Sequence, residues 1–132
     1  MAEVEEALID LMLAEAAIVA AVASRIYFAH APQTPSLPWI TMSRVAAERV
    51  ASLNGPNGLT AAYIQLDAYA TSLGGARTLA NLCRDTIDGF RGAQSGVNIQ
   101  GVMHSDETDG YTPEVNIWRV TQQFKVWYLG FD

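Results

Sequence analysis

Serine, cysteine, histidine and carboxylate side chains are the groups from which this chain could build a reaction centre, and their spacing assembles none. A nucleophile elbow needs Gly-x-Ser-x-Gly on a strand-to-helix turn, so that the hydroxyl stands exposed above a sheet. The nearest stretch, Gly92-Ala93-Gln94-Ser95-Gly96, sets its serine one position late. Neither a Gly-x-Gly-x-x-Gly turn nor a phosphate-cradling loop ending in Gly-Lys-Ser/Thr occurs. Metal binding would need clustered imidazoles, thiolates or carboxylates. His30 and His104 are the two histidines and fall in different segments. The run His104-Ser105-Asp106-Glu107 offers ligand atoms but no second imidazole, and Asp106, Asp109 and Gly110 miss the spacing of a calcium loop. The sequence therefore predicts no catalytic set, no metal and no cofactor.

Three further residue types could do chemistry and have plainer readings. Cys83 lies on the apolar stripe of a predicted helix, which makes it a buried and inert thiol. As the single cysteine it excludes an intramolecular disulfide. Asp67 alternates with apolar neighbours in a predicted strand, so it is expected to face solvent or an arginine across the sheet. Trp118 falls on the predicted core face. Trp127 falls on the opposite face beside Thr121 and Lys125, where an exposed indole would suit an interface anchor.

The elements that must carry these residues follow from periodicity. Val4, Leu8, Leu11, Ile18 and Val22 keep helical spacing within an alanine-rich stretch, predicting one helix over 3–23 with its acids toward the N-terminal end. Arg25–Phe28 reads as a short strand. Residues 29–38 hold Pro32, Pro35 and Pro38 and read as a loop. Trp39–Val45 and Leu59–Ala70 read as strands, and the turn-rich Asn54-Gly55-Pro56-Asn57-Gly58 between them as the tip of a hairpin. A second helix is predicted over 73–91, capped by Thr71 or Ser72, with Arg84 and Asp88 placed to pair four residues apart. Val97–Met103 alternates as a strand, with Val97, Ile99, Gly101 and Met103 on one face. Residues 104–114 read as a polar loop. A last strand covers Val115–Tyr128, with Trp118, Val120, Phe124, Val126 and Tyr128 on one face and Gln122 as the exception. Its 14 positions exceed the usual ~5–6, which predicts a projecting or bulged strand. The expected fold is α+β, in the order α–β–β–β–α–β–β: a four- to five-stranded, largely antiparallel sheet with two helices on one face, spanning 1–132 as one domain.

Composition narrows the partners. Half of the 132 residues are hydrophobic and only 17% are charged, below the ~25% usual for soluble domains. Net charge is −6, and five of the fourteen acids lie in residues 1–24 with no base among them. The remainder carries nine acids against eight bases, leaving no basic stripe to neutralise nucleic-acid phosphates. Seven of the eight bases are arginine, which suits bidentate pairing across protein interfaces. The longest apolar run, Ala16–Ala23, is far short of the ~20 residues that span a bilayer, and the acidic N-terminal segment is unlike a secretory signal. No membrane role and a cytoplasmic site of action are expected.

Four stretches, in order, resemble phage tail completion proteins. They are Ala31-Pro32-Gln33 with Leu37-Pro38-Trp39-Ile40; Leu53-Asn54-Gly55-Pro56-Asn57-Gly58-Leu59 with Ile64-Gln65-Leu66-Asp67-Ala68-Tyr69-Ala70; Ala76, Leu79-Ala80, Arg84 and Asp88-Gly89-Phe90-Arg91-Gly92; and Tyr111-x-Pro113, Trp118-Arg119-Val120 and Phe124-x-Val126-Trp127-Tyr128. The resemblance implies a non-enzymatic tail terminator of a long, non-contractile-tailed phage. Such a subunit forms a ring, usually of six, on the head-proximal end of the tail tube, stops tube growth and joins the tail to the neck. It implies a homo-oligomer, a tail tube partner, a neck or head-closure partner, DNA passing through without sequence-specific binding, and a location in the virion after assembly in the host cytoplasm. The alternatives are another neck component, either head-closure or adaptor, and a small-molecule-binding α+β domain. The proline loop 29–38, the 46–58 arm with its tip Asn54, Gly55, Pro56, Asn57 and Gly58, and the side chains of Arg44, Arg49, Arg119 and Trp127 are the expected contact elements.

Overall fold

The computed structural model describes residues 4–23, 25–28, 37–52, 55–113 and 116–130, with the backbone alone at 49–52, 55–59 and 130. The amphipathic N-terminal segment forms two helices rather than one, α1 (Val4–Leu13) and α2 (Ala16–Val22). The reason lies in the stripe itself. In an unbroken helix Glu15 would fall in line with Leu8, Leu11, Ile18 and Val22, at the spacing that faces the core. Glu15 takes an extended backbone (φ −90°, ψ 116°) and remains exposed, while Ile18 and Val22 on the next helix are fully buried. Breaking the helix spares the cost of burying an unpaired carboxylate.

The third helix, α3 (Leu73–Ile87), starts where Ser72 accepts a hydrogen bond from the Gly75 N–H at 3.0 Å. It buries Ala76, Leu79, Ala80, Cys83 and Ile87 along one stripe. It stops four residues short of the predicted end. Gly89, at φ +79°, donates its N–H to the Val102 carbonyl, and the Asp88 carboxylate accepts the His104 N–H at 2.9 Å. Asp88 is thereby drawn to a strand and forms no i,i+4 pair with Arg84. Arg84 instead stands 4.0 Å from both Asp85 and Glu107.

Among the described residues six strands form one sheet: β1 (Ile26–Phe28), β2 (Trp39–Ser52), β3 (Gly55–Ala70), β4 (Gly92–Gln94), β5 (Val97–Thr112) and β6 (Ile117–Gly130), in the order β1-β2-β3-β6-β5-β4. Every pairing is antiparallel except β1 with β2. The expected four or five strands and two helices thus become six and three. Two predicted loops are largely strand. The stretch 55–58 belongs to β3, with Pro56 opposite Ala51 and Gly55 opposite Ser52, and 104–112 continues β5 against β6. Polar composition hid the second because the far half of β5 is a solvated strand. Its backbone is held by ladder bonds to β6 rather than by apolar burial. β5 also carries a bulge between Ile99 and Gly101 and another between His104 and Asp106. The first reverses the expected alternation, burying Val102 and leaving Met103 51% exposed.

All three helices contribute to one core with a single face of the sheet, including Ile40, Met42, Ile64, Leu66, Val120 and Phe124. Gln122 sits in this core fully buried and donates to the Ala80 carbonyl at 2.9 Å. The last strand runs without a register shift against β3, so the bending expected of it falls on β5, which pairs with it directly, and on β2 at the far side of β3.

Candidate functional site

The sheet face turned away from the helices carries Asp67, Thr121, Lys125, Arg119 and Trp127 of the residues that the sequence marked. Strand alternation puts Thr41, Asp67 and Thr121 side by side across β2, β3 and β6. Asp67 is only 8% exposed and pairs with no arginine. Its carboxylate accepts hydrogen bonds from Thr121 Oγ1 (2.6 Å), Gln65 Nε2 (3.1 Å) and Thr41 Oγ1 (3.4 Å). Three neutral donors satisfy the carboxylate, Gln65 from β3 itself and Thr41 and Thr121 from the strands on either side; the last two lie 26 and 54 residues away, beyond the reach of sequence spacing. Next to this row Trp39 stacks on Tyr69, ring centroids 4.9 Å apart.

Toward the other end of the face, Lys125 lies over the rings of Trp127 (5.0 Å) and Tyr63 (5.3 Å) and 3.8 Å from Glu48. The Tyr63 hydroxyl donates to the same Glu48 carboxylate at 3.2 Å. Trp127 is half-buried here, covered by a neighbouring lysine and by no helix. Arg119 is exposed on β6 opposite Gly110, and its guanidinium crosses so close that a Cβ there would meet it at 2.9 Å. Gly110 leaves the space for that side chain.

Arg44 is exposed on β2 and, by register with Ile64 and Phe124, belongs to the helix side of the sheet. The structure therefore does not bring Arg44, Arg119 and Trp127 together; they occupy two faces and two ends of the sheet. Arg49 pairs in register with Thr60, and Gly55, Pro56, Asn57 and Gly58 form the start of β3. Asn54, His30 and all of the predicted loop 29–38 except Leu37 and Pro38 lie outside the described residues.

On the helix side, α3 sends a polar flank along β5: Arg77 pairs with Asp109, which raises the pKa of the guanidinium further, and Arg84 approaches Glu107. Burial pushes the Cys83 thiol up to about 12, so it stays protonated and unreactive at neutral pH. Among the described residues no three histidine, cysteine or carboxylate side chains converge as a metal site would require, and no helix is long and apolar enough to cross a membrane. An open groove of about 370 Å³ runs between α2, the start of α3 and Leu37–Pro38; its polar side chains are the hydroxyls of Thr71 and Thr78. That lining could hold apolar surface but supplies no acid, base or nucleophile.

The fold is shared with a chain from the virion of a native gene transfer agent (GTA) particle, at 14% identity and a TM-score of 0.81, covering 96% of this chain and 95% of that one. No curated protein matches the sequence. The family model described as Tail completion protein gp17 matches residues 6–129, from α1 to the end of β6. With helices, sheet and both long hairpins inside that match, the chain belongs to the tail completion protein gp17 family and is a structural component of a phage tail.

Proposed function

We propose that the protein is the tail terminator: a ring, of about six copies, that caps the head-proximal end of the tail tube, stops its polymerisation and presents a surface to the neck. The observation that carries this reading is membership of the tail completion family over nearly the whole chain. The virion origin of the chain that shares its fold is consistent with it. A closed ring needs two different side surfaces that meet head to tail. A sheet ending in different strands on its two sides, β1–β2 and β5–β4, supplies them. Arg44, Arg49, Asn54, Gly55, Pro56, Asn57, Gly58, Arg119 and Trp127 are proposed contacts, divided among neighbouring copies, tube and neck; Arg44 lies on the helix side of the sheet and Arg119 and Trp127 on the opposite face. DNA passes through the ring without sequence-specific contacts.

Two measurements test the reading. Native mass determination of the purified protein, alone and with tail tube, should find a ring of about six. Electron microscopy of particles made without this protein should show free heads and tubes of uncontrolled length. A strict monomer under both conditions, or normal tails joined to heads in its absence, would overturn the proposal.

A further inference from the structure

Resting on the ring reading, we propose which surfaces close it: the outer edge of β5 on one copy, from Asp106 to Thr112, pairs antiparallel with the outer edge of β2 on the next, from Ser43 to Ser52. Among the described residues, β1 covers β2 only opposite Ile40–Met42, and β4 covers β5 only opposite Val97–Ile99. The end of α3 occupies the next part of β5, through the Val102 carbonyl and the His104 N–H. Beyond these points no described residue pairs with the outer edge of either strand, and an open ladder is a template for a further strand. Three of the five exposed large apolar side chains among the described residues lie on these two strands: Val45 on β2, and Met103 and Tyr111 on β5.

Charge is complementary across the proposed joint. The β5 stretch carries Asp106, Glu107 and Asp109 and no base of its own, with Arg77 on Asp109 and Arg84 4.0 Å from Glu107, whereas the β2 stretch carries Arg44 and Arg49 against Glu48. Register puts Arg44 on the helix side of the sheet, the side that Glu107 and Asp109 occupy through their pairing with Gln122 and Val120.

Strand direction and stagger also fit. The four long strands alternate in direction in the order β2, β3, β6, β5. Rotation about a ring axis that every strand crosses at the same oblique angle preserves the sense of each strand, so β5 meets the next β2 antiparallel and the alternation continues. Within one copy Trp39, Tyr69, Arg119 and Gly110 lie at one level. The open part of β5 straddles that level and the open part of β2 begins four residues beyond it. Bringing the two together takes a slip of about six residues per copy, ~20 Å at ~3.3 Å per residue. The repeat across four strands is ~19 Å at ~4.8 Å each. A slip and a width so nearly equal incline the strands by ~45°, at the upper end of the ~35–45° of closed barrels. The slip also carries the capping strands β1 and β4 past the ends of the joint, where they do not obstruct it. The bulges in β2 and β5 add the local bending that closure requires.

The test is a cross-linking ladder on the full chain. Ala46 and Thr108 are exposed, one on each edge, and register places both on the face away from the helices. The double variant Ala46→Cys/Thr108→Cys, treated with a short bis-maleimide, should give a ladder on denaturing gels up to the size of the ring. Either single variant should give nothing beyond a dimer, and buried Cys83 stays out of the reaction. Hydrogen exchange on the unmodified ring should show amides of both open stretches protected relative to the dissociated subunit. A ring of normal mass that yields no ladder, or leaves both stretches exchanging as fast as in the subunit, overturns the edge proposal and leaves the terminator reading intact. A chain that stays monomeric with and without tail tube overturns both.

Discussion

Two buried polar side chains, Asp67 and Gln122, show how differently the two faces of the sheet treat polarity. Asp67 accepts from three donors, whereas Gln122 places its amide N–H₂ on the Ala80 carbonyl and leaves Oε1 buried without a partner. An orphaned buried acceptor carries a desolvation cost of ~1–3 kcal/mol, which offsets what the other half of the amide gains. Gln122→Leu, nearly equal in size, should therefore leave stability unchanged or raise it by ~1 kcal/mol; urea denaturation measures it, and a loss of more than ~2 kcal/mol would show that the amide is needed. Cys83 gives a pH prediction. Its thiol ordinarily ionises near 9.0 and burial raises this to about 12, so the folded state favours the protonated form. The contribution is complete below the unfolded pKa and is lost as pH rises from about 9 toward about 12. Cys83→Ala should flatten that alkaline decline while leaving assembly at neutral pH unchanged. An equally steep decline in the variant would assign it to other groups.

At the scale of elements, the long hairpin β2–β3 departs from what its local composition predicts. Asn54–Gly58 has the composition of a wide turn, and the structure instead carries β3 back to Gly55 and pairs Pro56 with Ala51. Local propensity predicts where a chain can turn. The number of ladder bonds available along two long strands decides where it does. Deleting 50–58 should still spare the fold, because the helix-side core gathers its β2 and β3 residues from Ile40, Met42 and Ala62–Ala70. The variant should keep its circular dichroism and a cooperative melt but lose ring formation by sedimentation. An unfolded product would make the hairpin end a structural element. The N-terminal helix pair teaches a similar lesson. Alanine-rich composition favours helix throughout, yet one misplaced carboxylate, Glu15, selects the break.

For the whole molecule, a chain with 50% hydrophobic residues and a one-sided sheet leaves little polar surface to spare, and part of its apolar surface stays exposed on the edge strands. If assembly covers those strands, the folded ring is favoured by mass action. The melting temperature should rise with protein concentration across the range in which mass determination shows rings forming. A melting temperature independent of concentration across that range would mean that the contacts between copies add nothing to the stability of the subunit.

Periodicity by itself determined the helix-side core. The stripes of α3 and β6, and the alternation of β3, are visible as repeats of 3.6 and 2 because each element packs one face on a common interior. It also showed that nucleophile, base and metal-ligand spacings are lacking, and the ordered set of short stretches carried the family. What only the tertiary structure decided is whatever depends on residues far apart in the chain. The two threonine donors that hold Asp67 from neighbouring strands, the β-strand character of the polar stretch 104–112, the bulge that turns Met103 outward and the open edges of β2 and β5 all arise from pairing between strands. Such pairing is fixed by register across the sheet, and no local pattern in the sequence encodes it.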